Sequence, residues 1–450
     1  MDIVWLVLDS LTYEATSLSP EGPKTTPKLA ALAEERGVVF TRAYAPGPSS
    51  PSSHAAFLTG KLPSAAGMHE ANPVFDGSVP TIADRLAETH RSHLVSVNPF
   101  LFSGLDESFD VVADLAAEDY LLFDDATDPR KFGDETDQNG LRMYWEFLRA
   151  NGTPVRNVLN GLSFKRWQRR GNEFIPKSLD GGGETYQYAE STNNFVRSSV
   201  AIDEPSFVVA NYMDVHPPLS ASTGALTRFG GEFDRAELPI GTRGEDLEEH
   251  EKEAMWALYL AATWDLDQKI GPLVEELLAD GSMVVVTADH GPRFARENYL
   301  TERRLHVPLV VFQPEQGPRR VDATVSLQSL PRTTMETAIG SDGGFDGQNL
   351  LTVDGDELVI TEYLHRDGAE PGPVSIDSQD PVHRDLVVRR GDTRIQYADG
   401  QEVSTEGTKD ALDRLRTEVR EVTEFTEKAS NKDAEFDDAT RGRLEDLGYL

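Results

Sequence analysis

Met283-Val-Val-Val-Thr-Ala-Asp289-His290-Gly291 is a continuous apolar, β-branched run that ends abruptly in an acid, an imidazole and a glycine. An uninterrupted run of this kind reads as a strand buried on both faces of a parallel sheet. Strong ligands therefore sit at its C-terminal tip, and in open α/β sheets ligands bind in the crevice beyond the carboxyl ends of the strands. Taken alone, the stretch would equally suit a polar turn after a core strand. The N-terminus repeats the design, because Ile3-Val-Trp-Leu-Val-Leu-Asp9-Ser10 is another apolar strand that opens onto an aspartate. Two such strands delivering Asp9, Asp289 and His290 to one edge would make a hard, oxygen-rich site with one imidazole. That donor set suits a single divalent cation such as Ca²⁺ or Mg²⁺ more than a thiophilic metal.

The length of 450 residues allows a large core and two or three structural units. No cysteine is present, which excludes disulfides, thiolate zinc sites and cysteine nucleophiles. The first residues already read as a core strand with no basic segment or cleavage site ahead of it, and no apolar run reaches the roughly 18 residues needed to span a bilayer. A soluble, cytoplasmic protein is expected. The net charge is −34, spread along the chain, with 32 arginines against 11 lysines. Such a surface repels nucleic acid and anionic membranes, so neither is expected as a partner. Pervasive acidity with scarce lysine also resembles proteins of salt-accumulating halophiles, in which screening over a few ångströms removes self-repulsion.

After Asp9, Thr25-Thr-Pro27-Lys-Leu-Ala-Ala-Leu-Ala-Glu-Glu-Arg-Gly37 carries both helix stop signals, proline in the first turn and glycine at the end. Val38–Tyr44 reads as the next strand. It leads into Pro46-Gly-Pro-Ser-Ser50-Pro51-Ser-Ser53-His54-Ala-Ala-Phe-Leu-Thr59-Gly60, which can be a plain loop with a helix cap. A hydroxyl at a helix N-terminus is also where a nucleophile gains from unpaired N–H groups and the positive end of the dipole. A serine touching a divalent cation can ionise at neutral pH.

The ordered set Leu-Asp9, Ser50-Pro-Ser-Ser-His54-Ala-Ala-Phe-Leu-Thr59-Gly60-Lys61-Leu-Pro63, His216-Pro-Pro and Thr287-Ala-Asp289-His290-Gly291 resembles the sulfatase family of the alkaline phosphatase superfamily. Gly104–Asp110, Trp264–Gly271, the Val-Pro-Leu309-Val-Val strand and the terminal Leu444–Leu450 are similar to further family elements, so the likeness covers nearly the whole chain. The resemblance implies a cation held by Asp9, Asp289 and His290, with Ser10 and Ser50 adding oxygens, and Ca²⁺ ranks ahead of Mg²⁺ or Mn²⁺. It puts Ser50, His54 and His216 in the catalytic set, with Ser50 as nucleophile. His216 would be the general acid, a role that its near-neutral reference pKa permits. If Asp214 and His216 instead bound metal, the site would be binuclear and phosphatase-like. Lys61 and Asn98 fall in a region that touches the anionic substrate oxygens in relatives. The loop after Gly291 is short, and Arg293, Arg296, Arg303 and His306 are candidates to replace its usual substrate-binding residue, since guanidinium binds sulfate or phosphate bidentately.

Two departures from the family pattern matter. Ser10 stands where a second acid is usual, which removes an anionic ligand. His54 stands where arginine is usual in the motif that directs conversion of the nucleophile to formylglycine, so that modification of Ser50 is in doubt. Sulfate ester hydrolysis is implied by the family. A phosphomonoester, phosphodiester or phosphonate hydrolase, a phosphoglycerol-type transferase, or a non-catalytic anion-binding homologue remain alternatives on the same site, with a small-molecule or glycan ester as the ligand.

The expected architecture is α/β, a mostly parallel central sheet with helices on both faces over residues 1–352. A region at 113–199 reads as an insertion or lid, and 353–450 as a small C-terminal antiparallel α+β subdomain with a closing helix at about 409–429. Within the insertion, Phe164-Lys-Arg-Trp-Gln-Arg-Arg170 is the one dense basic run. In so acidic a chain it reads as an internal salt-bridging face or lid edge more readily than as a membrane or nucleic-acid contact.

Overall fold

A computed structural model describes residues 1–115, 123, 126–127, 129, 132, 141–169, 188–217, 219–229, 248–294, 298–366 and 381–420. Arg296, Pro218 and the terminal Leu444–Leu450 lie outside the described residues, as do positions 421–429 of the expected closing helix. By packing, residues 1–113 and 177–450 make one compact unit and 114–176 a second.

The first unit is built on an eight-stranded sheet of order β4-β3-β5-β1-β6-β7-β2-β8. Its strands are β1 (Ile3–Leu8), β2 (Val38–Tyr44), β3 (Arg91–Ser96), β4 (Val111–Asp114), β5 (Ser206–Tyr212), β6 (Met283–Thr287), β7 (His306–Phe312) and β8 (Arg319–Ser326). The central pairs β3·β5, β5·β1 and β1·β6 are parallel, and β7 runs antiparallel to both of its neighbours. All side chains of β1, β5 and β6 are buried, as continuous apolar runs require of strands covered on both faces. Trp5 anchors the core, its ring 5.2 Å from Phe207 and 6.2 Å from Phe57 in edge contacts.

Five longer helices cover this sheet: α1 (Pro27–Arg36), α2 (Ser50–Thr59), α5 (Ala189–Val200), α6 (Glu249–Ala279) and α7 (Leu330–Ile339). The two between α2 and α5, α3 (Leu141–Arg149) and α4 (Pro154–Arg169), belong to the second unit. Helix α6 is the crossover that links β5 to β6 on the far side of β1. The backbone N–H groups of Lys28 and Leu29 in the first turn of α1 have no partner in their own helix. Asp267 of α6 accepts from both at 3.0 Å, so one buried carboxylate caps α1 and ties it to the crossover.

The small antiparallel sheet is present, in the order β12-β11-β10-β9, from β9 (Val359–Arg366), β10 (Val382–Arg390), β11 (Thr393–Ala398) and β12 (Gln401–Glu406). Its fourth strand, exposed throughout, carries no apolar alternation that the sequence could have revealed. Leu386, Val388, Ile395, Tyr397, Leu415 and Val419 form its core beneath α8 (Lys409–Glu418). This sheet also grips the loop ahead of α2. Thr361 donates to the Ala45 carbonyl at 2.7 Å, and the Glu362 N–H to that of Pro46 at 3.0 Å. Among the described residues no helix is long and apolar enough to cross a membrane.

Burial raises the pKa of Asp267 to about 6, against the two N–H groups that lower it. A carboxyl whose folded pKa lies above its unfolded value contributes stability that is present below about pH 4 and lost as pH rises through about 6. The wild type should therefore lose stability relative to Asp267→Asn over that window in urea unfolding series at matched pH, and parallel pH profiles would refute the assignment.

Candidate metal centre and nucleophile

Register builds the site. Val7 pairs with Thr287 across β1 and β6, so two residues on, Asp9 and Asp289 leave the sheet side by side. Asp9, Asp289 and His290 offer ligand atoms within 4.8 Å of one another, and all three are buried. The Ser10 backbone adopts the left-handed region, φ 63°. That conformation is costly for a non-glycine residue, and here it turns the Ser10 N–H to Asp289 Oδ1 at 3.0 Å. The Ser10 hydroxyl donates to Asp9 Oδ1 at 3.2 Å, so this side chain orients the first acid. The Tyr259 hydroxyl from α6 fixes the turn, donating to the Ser10 carbonyl at 2.7 Å and accepting the Thr12 N–H at 3.0 Å.

Two amides complete the surroundings of Asp9. Asn98 and Asn211 donate their Nδ2 groups to Asp9 Oδ2 at 2.8 and 3.2 Å. The His290 Nδ1–H donates to the Gly291 carbonyl at 2.9 Å, which assigns the lone pair to Nε2. Burial, reinforced by Arg304, lowers the pKa of His290 to about 3, so the ring is neutral. The Gly291 backbone runs so close to the next element that a Cβ would lie 1.9 Å from the Arg303 carbonyl oxygen, which accounts for the glycine in Asp-His-Gly.

Ser50 opens α2 and is fully buried. Its Oγ donates to Asp289 Oδ2 at 2.8 Å and lies 3.4 Å from His290 Nε2 and 3.5 Å from Asp9 Oδ2. His54, one turn on, donates Nδ1–H to the Ser50 carbonyl at 2.9 Å, with Asp289 Oδ2 3.6 Å away. Its buried Nε2 has no partner among the described residues. Ser53 donates to the Asp289 carbonyl at 2.7 Å, and Ser49 and Ser52 both donate to Glu70. The start of α2 is thus tied to the tip of β6 by Ser50 and Ser53, both of which donate to Asp289.

A divalent cation fits this cluster. Asp9 and Asp289 are two wholly buried carboxylates, and among the described residues neither is paired with lysine or arginine. Close buried charges without a counter-ion are costly, and a neutral imidazole and a serine hydroxyl face the same space.

The other sequence candidates have partners of their own. Lys61 pairs with Asp346 at 2.7 Å. His306 is stacked between Tyr13 and Tyr44, with centroids 4.5 and 5.0 Å away, and donates Nε2–H to the Thr41 carbonyl. Arg293 lies over the Tyr299 ring at 4.6 Å, and Arg303 is held by Glu14 and Trp256. His216 is buried in the turn after β5, its Nδ1 at the Pro217 carbonyl. Asp214 is taken by Lys269 at 3.5 Å, with its own pKa raised by burial, and neither it nor His216 joins a ligand cluster among the described residues.

Three contributors were missed in the sequence. Asn211 is a polar residue inside the apolar run of β5, one place before the tip, and that break in pattern was a usable signal. Tyr259 lies within the helical pattern of α6 and gave none. Arg304 sits beside the weighed Arg303, and only the fold separates them. Arg304 is buried and donates to the carbonyls of Pro48 and Gly291, at 2.5 and 3.1 Å, so it ties the loop ahead of α2 to the loop after β6.

Comparison with known proteins agrees with this geometry. A family model described as Sulfatase matches residues 1–341. No curated protein matches the chain in sequence. Among solved structures, a phosphonate monoester hydrolase from Silicibacter pomeroyi superposes with a TM-score of 0.63 at 17% identity, covering 94% of each chain. The protein Ps i-CgsB, solved with k-i-k-neocarrahexaose, gives 0.58 at 19% identity, over 94% of this chain and 91% of its own. A protein solved with its substrate D-glucosamine-2-N,6-O-disulfate gives 0.55 at 13% identity, over 99% and 98%. At these identities the structural likeness speaks for the fold, while the family match takes in both strand tips and the start of α2, and on it the chain belongs to the sulfatase family.

Proposed function

We propose that the chain is a metal-dependent hydrolase of sulfate esters that uses Ser50 as its nucleophile. The observation that carries this reading is the placing of Ser50 Oγ at the N-terminus of α2, within hydrogen-bond reach of Asp289 in a buried cluster of two acids and a neutral imidazole. Asp9, Asp289 and His290 would hold the cation with Ser50 Oγ alongside, Ca²⁺ first, Mg²⁺ or Mn²⁺ next. A cation bound there would supply positive charge for the developing oxyanions and favour ionisation of the hydroxyl. Asp289 Oδ2 accepts the Ser50 hydroxyl hydrogen and so orients Oγ. Ser50 Oγ, as the serine or as the hydrate of formylglycine, attacks sulfur in line as its proton passes to Asp289 Oδ2, the Oγ–S bond forms as the ester S–O bond breaks, and His216 gives its proton to the departing alcohol oxygen. Water then releases sulfate from the serine, or the hydrate expels it and returns to the aldehyde. Asn98 and Asn211 keep Asp9 Oδ2 directed into the cluster, Ser10 does the same for Oδ1, and Arg304 fixes the distance between the two loops. Arg293 supplies a guanidinium for the substrate oxygens next to the metal loop.

A second reading is favoured by one feature. His54 occupies the arginine position of the modification motif and spends Nδ1 on the Ser50 carbonyl. A Ser50 that escapes conversion to formylglycine would act through its own hydroxyl, and phosphonate or phosphate esters then become the preferred substrates.

Ser50→Ala should fold as the wild type does and lose on the order of 10³-fold or more in turnover. Unchanged turnover would exclude the nucleophile and favour an anion-binding homologue. Aryl sulfate, phosphate and phosphonate esters assayed side by side, with the mass of the Ser50 peptide, separate the two readings. Loss of two hydrogens from that peptide accompanies sulfate preference, whereas an unmodified serine with phosphonate or phosphate preference establishes the second.

A chelator should abolish activity and an added divalent cation restore it. Arg304→Gln should weaken metal binding or activity about 10–100-fold, as expected for groups that orient ligands. Calorimetric titration of the metal checks this, and an unaltered affinity together with unaltered turnover would remove Arg304 from the site.

A further inference from the structure

Arg389 of β10 and Arg394 of β11 are register partners across the antiparallel hairpin that turns at Gly391-Asp392. Like charges directly opposite one another in such a pair are destabilising. Here both side chains are also withdrawn from water, exposed by only 6 and 13%. Burial, and after it the neighbouring Arg389, lowers the pKa of Arg394. A third guanidinium comes from the central sheet, on Arg42 of β2. The three arginines, Tyr44 and Gly391 line a cavity of about 520 Å³ that lies wholly within the first compact unit.

Carboxylates answer this charge unevenly. Glu302, from the short helix Glu302–Leu305, accepts from both terminal nitrogens of Arg389, at 3.0 and 2.9 Å. The two other acids on the cavity stand in solvent, with side chains 69 and 98% exposed: Glu406, 3.6 Å from Arg394, and Asp392, 3.1 Å from Arg42. Exposed ion pairs of this kind contribute little. Arg394 gives Nη2 to the Leu300 carbonyl at 3.0 Å and to Gln396 Oε1 at 3.1 Å, while its Nη1 has only the distant Ser404 Oγ at 3.5 Å and Glu406. A guanidinium carries five N–H donors, and among the described residues the Arg42 side chain has no hydrogen bond or ion pair beyond Asp392.

Guanidinium forks match the oxygens of sulfate and phosphate. We propose that this cavity binds a sulfate or phosphate group between Arg42 and Arg394, with Arg389, stacked on the Tyr44 ring at 3.5 Å and held by Glu302, as its wall. The opposed arginines then share a counter-charge that the exposed acids supply only weakly. The chain's net charge of −34 opposes anions at long range, but at 0.15 M ionic strength charges are screened beyond about 8 Å, so the groups lining the cavity decide. The volume lies within the roughly 300–1,000 Å³ of small-ligand pockets, so the group arrives either as the free ion or as an ester group on a small molecule. No lining residue belongs to the cluster of Asp9, Asp289 and His290, and the site does not depend on the catalytic reading.

The test is calorimetric titration of the cation-loaded full chain, at constant ionic strength in chloride, with inorganic sulfate, inorganic phosphate and a sugar sulfonate, whose C–S bond an ester hydrolase does not cleave. The wild type should bind in a site that Arg42→Gln/Arg394→Gln weakens at least about tenfold. Sulfate should also raise the Tm of the wild type by more than that of the variant. Should circular dichroism show the double variant misfolded, Arg42→Gln alone replaces it with the same expectation. A wild type that binds none of the three overturns the proposal. So does binding that is unchanged in the variant, which would place the anion at the metal cluster alone. A sulfonate that binds more tightly than the free ions assigns the site to an ester group on a small molecule, whereas free ions that bind at least as tightly assign it to the inorganic ion.

Discussion

Two carboxylates forced together in the dry interior are the constraint on which this structure turns. Parallel pairing of β1 and β6 with Val7 opposite Thr287 leaves Asp9 and Asp289 no separate exits from the sheet. Bare, such a pair would oppose folding through mutual repulsion and lost hydration. The surrounding groups answer that cost one oxygen at a time: amides of Asn98 and Asn211, the Ser10 hydroxyl and N–H, and the Ser50 hydroxyl. These donors are all neutral. They orient the oxygens without cancelling the charge, and so they leave an electrostatic demand that a divalent cation would meet.

The start of α2, with Ser50, is held by parts of the chain far from it in sequence. Arg304 reaches the Pro48 carbonyl from one side, and Glu70 receives Ser49 and Ser52 from another. Beneath them β9 supports Ala45 and Pro46, and its buried Glu362 is paired with Arg384 of β10 while accepting Ser64. The small C-terminal sheet is therefore part of the wall behind Ser50. That explains why it packs in the same compact unit as the central sheet, although the sequence reading had set 353–450 apart. Under the proposed reading, a hydroxyl that attacks in line within a few tenths of an ångström benefits from such support.

The fold class, the mostly parallel sheet and the small antiparallel sheet were all legible in the sequence. So were the three residues of the ligand cluster and the serine that faces them. Their signals are local, since a strand that is apolar along its whole length and stops at an acid fixes both its burial and what stands at its tip. The roles assigned to Lys61 and His306 rested on likeness to relatives, and here the first meets Asp346 while the second is locked between two tyrosines. Nothing near either residue in sequence announces those partners.

What the sequence determined, then, is which side chains lie at the carboxyl edge of the sheet, because strand period and strand ends are properties of short stretches. Tertiary structure decided which of them touch. The order of strands put Asn211 beside Asp9, the approach of Gly291 to Arg303 aimed Arg304 rather than its neighbour at the site, and the packing of α4 turned asparagines in and valines out. Each of these depends on the meeting of segments distant in sequence or on which face of a helix finds partners, and no window of residues read alone contains that information.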